Sequence, residues 1–227
     1  MKKILLNPWT ALVTLAVVLL VRILDPGFVE SVRLRYFDTL ITSQPDKTTQ
    51  VHVVNIDEAS LDKYGQFPFP RDIYAQIIQD IYKRNAGLVV FNVLMPESDR
   101  FKQDQVLAKT LDKFPVILPE IASTKAKNKT YGTPVQVLGN DINGMFVEYP
   151  GIIANVPILQ EHAAGVGIVN TFPEVDGVVR RMPLLIVAPE SSVVPLDQPQ
   201  KLVYPALALE ALRVGVGDNK IQVKVSD

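Results

Sequence analysis

From Ile4 to Val21 the chain reads ILLNPWTALVTLAVVLLV without one charged side chain, and no other feature limits its fold as much. Wound as a helix, Ile4–Leu24 would extend about 30 Å, the thickness of a bilayer core. A cleavable leader has a shorter apolar region and a small-x-small cleavage site, whereas this run ends in Val21-Arg22-Ile23-Leu24-Asp25. The expectation is an uncleaved transmembrane anchor over residues 4–24. Lys2 and Lys3 precede it, and basic residues stay on the cytoplasmic side, so residues 1–3 are assigned to the cytoplasm and everything after Asp25 to the outside.

Asp25-Pro26-Gly27 punctuates the span, and FVESVRLRYFDTL then places Phe28, Val32, Tyr36 and Leu40 at four-residue spacing among charges. This predicts an amphipathic helix just outside the membrane, in a membrane-proximal segment covering residues 25–44. Its apolar stripe either packs on the chain's own domain, or serves as a rod that passes movement to the span or pairs with a second copy. Residues 45–227 are enough for one well-cored domain.

Within that domain, Ser43–Gln50 reads as a polar linker and Val51–Ile56 (VHVVNI) as a mostly buried strand. Ile73, Ile77, Ile78 and Ile81 keep helical period between Pro70 and Arg84, Leu88–Val93 is a second buried strand, Asp104–Lys113 a helix and Pro115–Leu118 a third strand. Strands alternating with helices imply parallel pairing. Ser123–Pro134 (STKAKNKTYGTP) is lysine-rich and turn-rich, which predicts an exposed, mobile excursion. Ala163–Val169 and Val178–Val187 are apolar runs joined through Asp176-Gly177, which suggests an antiparallel pair. Pro195–Pro199 reads as loop, Tyr204–Val214 as an apolar helix and Ile221–Val225 as an alternating strand. The fold class expected is α/β, with a mixed, largely parallel central sheet flanked by helices and preceded by one transmembrane helix. The chain stops directly after its last strand, which is read as truncation of a longer protein.

Charge and composition exclude several functions. Lys plus Arg number 23 against 24 for Asp plus Glu, a balance that offers no field for a polyanion, so nucleic acid is not an expected partner. Without cysteine, and with only His52 and His162 as histidines, thiolate chemistry and Zn-Cys sites are ruled out, and no metal or cofactor is expected. No G-x-S-x-G, P-loop or His-Glu-x-x-His pattern is present, and Gly165-Val166-Gly167 is a bare G-x-G of almost no weight.

The polar residues that remain are candidates for binding. Asp57, Glu58, Asn92, Glu97 and Asp99 follow the ends of expected parallel strands, where open α/β sheets place ligand crevices. Equally, Asp57 can cap the helix that follows it and the others can cover loops. Phe67-Pro68-Phe69-Pro70-Arg71 reads either as an aromatic platform presenting a guanidinium to an anionic or ring-bearing ligand, or as a stiff turn whose rings plug the core while Arg71 pairs with a strand-end carboxylate. Arg180 and Arg181 cannot both face the interior of a sheet, because strand side chains alternate. The inward one must find a carboxylate, for which Asp57 or Glu58 is the expected partner, unless it is left free for an anionic ligand.

The ordered series D57EASL, G65QFPFPR71, Y74AQII, L88VVFNVLMPES, G165VGIVN, D176GVVRRMPL and Y204PALALEAL resembles the type-two CHASE domain, a cyclase and histidine-kinase associated sensory extracellular domain, over roughly residues 28–227. Phe67 and Phe69 stand where that family commonly has tryptophan, and Asn92 where it commonly has aspartate. The resemblance implies an extracytoplasmic sensory module of a bacterial inner-membrane protein, followed by further spans and a cytoplasmic adenylate or guanylate cyclase, histidine kinase or serine/threonine kinase. It implies no catalysis in this segment. The partners expected are the membrane, a second copy of the chain and a small-molecule or protein stimulus. The competing reading is a membrane-anchored envelope hydrolase that uses Asp57 and Glu58 as acid and base.

Overall fold

A computed structural model of the chain describes residues 8–42, 50–139, 144–189 and 201–225. Lys2-Lys3, the start of the expected span, most of the polar linker and the loop at Pro195–Pro199 lie outside the described residues. The chain divides into two compact units: residues 1–54 with 172–180, and residues 55–171 with 181–227.

The first unit is helical. Helix α1 (Pro8–Leu24) has 17 residues, about 25 Å of rise, and none of them is buried. Helix α2 (Gly27–Thr42) comes immediately after it. Pro26 has no N–H to continue α1, and Asp25 adopts φ 36 at the junction. Among the described residues no single helix is long and apolar enough to cross a membrane; α1 and α2 meet that test only as a pair, bent by 84°. The expected amphipathic helix is present: Phe28, Val32, Tyr36 and Leu40 are all more than half exposed, and among the described residues the one that α2 buries is Leu34.

The second unit is a mixed α/β body. Asp57 caps helix α3 (Glu58–Tyr64), and helix α4 (Arg71–Tyr82) begins after a rigid proline-rich turn. Strand β1 (Val89–Val90), helix α5 (Asp104–Leu111) and strand β2 (Val116–Ser123) come next. β2 is the centre of a four-stranded sheet. It pairs in parallel with β1 and with β6 (Gly165–Ile168), and antiparallel with β5 (Gly151–Ile153). β1 reaches β2 through α5, whereas the longer chain between β2 and β6 includes β5 and ends in helix α6 (Pro157–Glu161).

A second sheet joins β4 (Val147–Glu148), β7 (Leu185–Pro189) and β8 (Lys201–Pro205), and β3 (Gln136–Gly139) pairs in parallel with β9 (Gln222–Val225). Helix α7 (Leu207–Val216) lies between β8 and β9. One core cluster joins Tyr74 and Ile78 of α4 and Leu107 of α5 to Val116 and Leu118 of β2; another joins Ala122 of β2 to Ile152, Ile168, Ile186 and Tyr204.

Four expectations are corrected. Residues 51–57 belong to no sheet among the described residues, and Val53 is 81% exposed. A β-branched run forms a strand only against an edge that accepts it. The runs at 163–169 and 178–187 are not a hairpin: β6 joins β2, and β7 begins only at Leu185, between β4 and β8. Asp176-Gly177 does turn the chain, with Gly177 at φ 81 donating to the Glu174 carbonyl at 2.8 Å, but the residues from Val178 to Leu184 form no strand. Tyr204 lies in β8, and the helix starts only after Ala206.

The fourth concerns the Ser123–Pro134 excursion, which is exposed over Thr124–Lys127 as expected but is tied down by hydrogen bonds. Lys127 N–H donates to the Ile152 carbonyl and the Lys127 carbonyl accepts from Ala154 N–H, while buried Gln160 donates to the Lys129 carbonyl at 3.0 Å and accepts from Tyr131 N–H at 3.1 Å. A side chain that satisfies backbone groups holds a polar loop as firmly as a strand would.

Candidate functional site

In the helical unit, the arginine that turns inward is Arg180, and three carboxylates surround it. Its Nε and Nη2 donate to the two oxygens of Asp38 on α2 at 2.8 and 2.7 Å. Nη1 and Nη2 donate to Asp176 at 2.8 and 2.7 Å, and Glu174 Oε2 lies 3.6 Å from Nη1. The Arg180 side chain is 8% exposed. Planar guanidinium and planar carboxylate fit two bonds at a time, so the fork fixes orientation as well as distance.

The turn makes this possible, because Asp176 Oδ1 also accepts from Val178 N–H at 3.2 Å and so faces back toward Arg180. Hydrogen bonds from Arg180 hold the Asp176 carboxyl down at about 2 and the Asp38 carboxyl below its usual range, while the hydrogen bonds to Asp38 and then Asp176 push the guanidinium still higher. The group therefore stays ionised throughout the physiological range. It is a clasp between α2 and the 172–180 segment, and the expected partners Asp57 and Glu58 take no part in it.

In the α/β body, Arg71 is buried at the start of α4. It donates from Nε to Asp104 Oδ1 at 3.1 Å and from Nη2 to the Glu97 carbonyl at 2.9 Å. Asp104 Oδ2 accepts from Asp99 N–H at 2.9 Å, and Asp99 Oδ2 accepts from Gln103 N–H at 3.1 Å, so both carboxylates occupy the N-terminal turn of α5. The Glu97 carboxylate pairs with Lys127 at 2.6 Å. Phe69 is buried 5.9 Å from the Tyr74 ring and its N–H donates to the Tyr74 hydroxyl, so one aromatic of the turn plugs the core while Phe67 stays partly exposed.

Of the strand-end candidates, the structure thus brings Glu97 and Asp99 together around Arg71. It leaves the others apart. Asp57 accepts from Ser60 N–H and Oγ at 3.0 and 2.7 Å, bonds that hold its carboxyl below the usual range. Glu58 is exposed in the first turn of α3, Asn92 is exposed just after β1, and Arg181 is exposed at the edge of the body. Among the described residues no group of three His, Asp or Glu side chains could hold a metal ion.

Glu120 was not legible from the sequence. It is fully buried in β2, its Oε2 accepts from Thr130 Oγ1 at 2.6 Å and its Oε1 has no hydrogen-bond partner. Burial pushes its carboxyl up to about 7, the Thr130 hydrogen bond works against the rise, and the negative charge of Glu210 adds to it. Glu210, fully buried in α7, is satisfied by a fork from Arg213 Nε and Nη2 at 2.8 and 2.6 Å. A glutamate inside the apolar run PVILPEIAS is the one sequence signal that could have found it.

No curated protein and no solved structure is significantly similar to the chain. The family model described as the CHASE2 domain matches residues 13–225, from within α1 to the end of β9. The chain therefore belongs to the CHASE2 domain family, whose members are extracytoplasmic sensory domains of membrane signalling proteins.

Proposed function

We propose that this chain is the input segment of a transmembrane bacterial signalling protein, with α1 as its anchor, its amino terminus in the cytoplasm and the α/β body outside. The output is a cytoplasmic effector of the cyclase or kinase class carried elsewhere in the same protein. The observation that carries the reading is the Arg180 clasp. It holds the helix next to the anchor to the segment 172–180, which in sequence connects β6 to β7, so a stimulus that alters the clasp acts on the helix beside the membrane. A hydrolase reading finds no support in Asp57 and Glu58: Asp57 is committed to a helix cap and its carboxyl is held low, the wrong direction for a general acid.

Two measurements test the proposal. A periplasm-dependent reporter fused after Gln50 is active, and a cytoplasm-dependent one is silent; the reverse pattern removes the topology. In the complete reading frame, Arg180→Ala shifts effector output while the protein still reaches the membrane. Unchanged output removes the clasp from the signalling path.

A further inference from the structure

The exposed apolar stripe of α2 has a geometry of its own. At 100° per residue, Phe28, Val32, Tyr36 and Leu40 advance by only 40° each and form one band along the helix. Arg33 and Arg35 fall about 80° to either side of the centre of that band, and buried Leu34 falls about 180° from it. The acidic residues Glu30 and Asp38 are on the Leu34 side, where Asp38 is held by Arg180. Arg33 pairs with Glu30 and lies 3.7 Å from Asp25, yet its side chain remains 52% exposed. The helix is thus apolar and aromatic along one line, basic at both margins of that line, and acidic behind it.

The junction with α1 supplies the second observation. The two helices meet across Asp25-Pro26 at 84°, so if α1 runs along the bilayer normal then α2 runs along the bilayer surface. Its first residue lies directly past the end of α1, at the level where hydrocarbon gives way to headgroups. Aromatic rings favour that level, and arginines beside an apolar band extend toward lipid phosphates.

We infer that α2 is an interfacial helix, lying on the outer surface of the bilayer with Phe28, Val32, Tyr36 and Leu40 among the headgroups and Arg33 and Arg35 against anionic phosphates. The inference rests on α1 being the membrane anchor. Lipid is chosen over a second copy because the band is bordered by like positive charges, which attract an anionic surface and repel their own image across a twofold contact. Motion of the clasp then changes how α2 lies on the membrane, and not merely how it is oriented in water.

These 227 residues hold no cysteine, so one introduced thiol at a time can be labelled in the chain. The full chain, reconstituted in vesicles of phosphatidylethanolamine and phosphatidylglycerol, is labelled with an environment-sensitive fluorophore at Val32→Cys, Tyr36→Cys, Glu30→Cys and, in α1, Leu15→Cys. Lipids with nitroxides at the headgroup or in mid-chain are compared with aqueous iodide as quenchers. The expected result is several-fold stronger quenching at 32 and 36 by headgroup-level nitroxide than by iodide, the opposite order at 30, and mid-chain quenching at 15. Mid-chain quenching at 15 with iodide-accessible labels at 32 and 36 overturns the inference and leaves the anchor standing. Labels at 32 and 36 shielded from both quenchers, with energy transfer between labels on two copies, assign the stripe to a second copy instead. An iodide-accessible label at 15 removes the anchor and the inference together.

Discussion

Arg180 and Asp38 are 142 positions apart in sequence and share two parallel hydrogen bonds, Nε to Oδ1 at 2.8 Å and Nη2 to Oδ2 at 2.7 Å. Asp176 meets the same guanidinium from the other side, so removing either end has unequal consequences. Asp38→Ala leaves Arg180 with Asp176 and Glu174, whereas Arg180→Ala leaves three carboxylates facing one another with no cation between them. The expected outcome is a larger loss of thermal stability, and a larger loosening of α2 from the 172–180 segment, for Arg180→Ala. Spin labels at Phe37→Cys and Val179→Cys report the second effect; equal broadening in the two variants contradicts the asymmetry.

The clasp also has a defined acid limit. The folded-state carboxyl of Asp176 titrates at about 2, below its ordinary value of 3.8, so the unfolded chain takes up this proton first as the pH falls. The stabilisation is present above the unfolded value and disappears as the pH drops through about 2. The label distance should therefore hold steady across the whole range from neutral to mildly acidic pH. A transition near pH 5 or 6 at this site contradicts the assignment.

Arg71 is the corresponding clasp of the body, and there the partner is at a helix N-terminus. Arg71→Ala strips Asp104 of its cation and the Glu97 carbonyl of its donor inside a nearly dry site, and a loss of about 3 kcal/mol is expected in denaturant unfolding. Arg71→Lys keeps the charge but cannot reach both acceptors with one rigid fork, so it should recover only part of that loss. Full recovery with lysine places the energy in charge alone.

Local pattern made α2, α4 and α5 legible and marked β2 and β6 by hydrophobic run, whereas α6 and β8 were not read from it. Ile73, Ile77 and Ile78 keep a period that only a helix satisfies, and α4 is where that period places it. Strand pairing was not legible in the same way. The Val51–Ile56 run and the Leu88–Val93 run look alike in sequence, yet only two residues of the second find a partner strand, because pairing is decided by what the rest of the chain brings alongside. The site divides similarly. The expectation that one of Arg180 and Arg181 turns inward and takes a carboxylate rested on strand alternation, yet residues 178–184 form no strand. Arg180 is inward because Asp176 in the turn and Asp38 on α2 hold it, and the packing of α2 is something to which spacing along the sequence is blind.

Gly165 and Gly167, of almost no weight as a motif, acquire a packing reason. A Cβ on Gly167 would lie 2.6 Å from Leu207 Cα and 2.9 Å from Leu207 N, both backbone atoms at the start of α7, which cannot swing aside as a side chain does. Gly167→Ala should therefore cost about 2 kcal/mol by forcing α7 away from β6. Gly87→Ala, where a Cβ would meet nothing within 4 Å, should change stability by less than about 0.5 kcal/mol. Similar effects at the two positions contradict the close approach.

Glu120 sets the pH dependence of the body. Its carboxyl titrates at about 7 when folded against 4.5 ordinarily, because burial disfavours the charge and the Thr130 hydrogen bond offsets only part of that. Below pH 4.5 the group is protonated in both states and burial costs no charge. Between 4.5 and 7 the unfolded chain releases the proton while the folded chain keeps it, so stability falls as the pH rises, by about 3 kcal/mol over the interval, and levels off above 7. The charged groups that bear on Glu120 are Glu210, whose negative charge adds to the rise of the Glu120 carboxyl, and, through its fork on Glu210, Arg213. Glu120→Gln removes the titration, and its stability relative to the wild type should climb from about pH 5 to about pH 7 and then stay constant. Parallel pH profiles for the two proteins would show that Glu120 does not bind this proton. Thr130→Val supplies the converse. It removes the hydroxyl that stabilises the charged form, so the fall in stability should extend to higher pH while Glu120→Gln in the same background abolishes it.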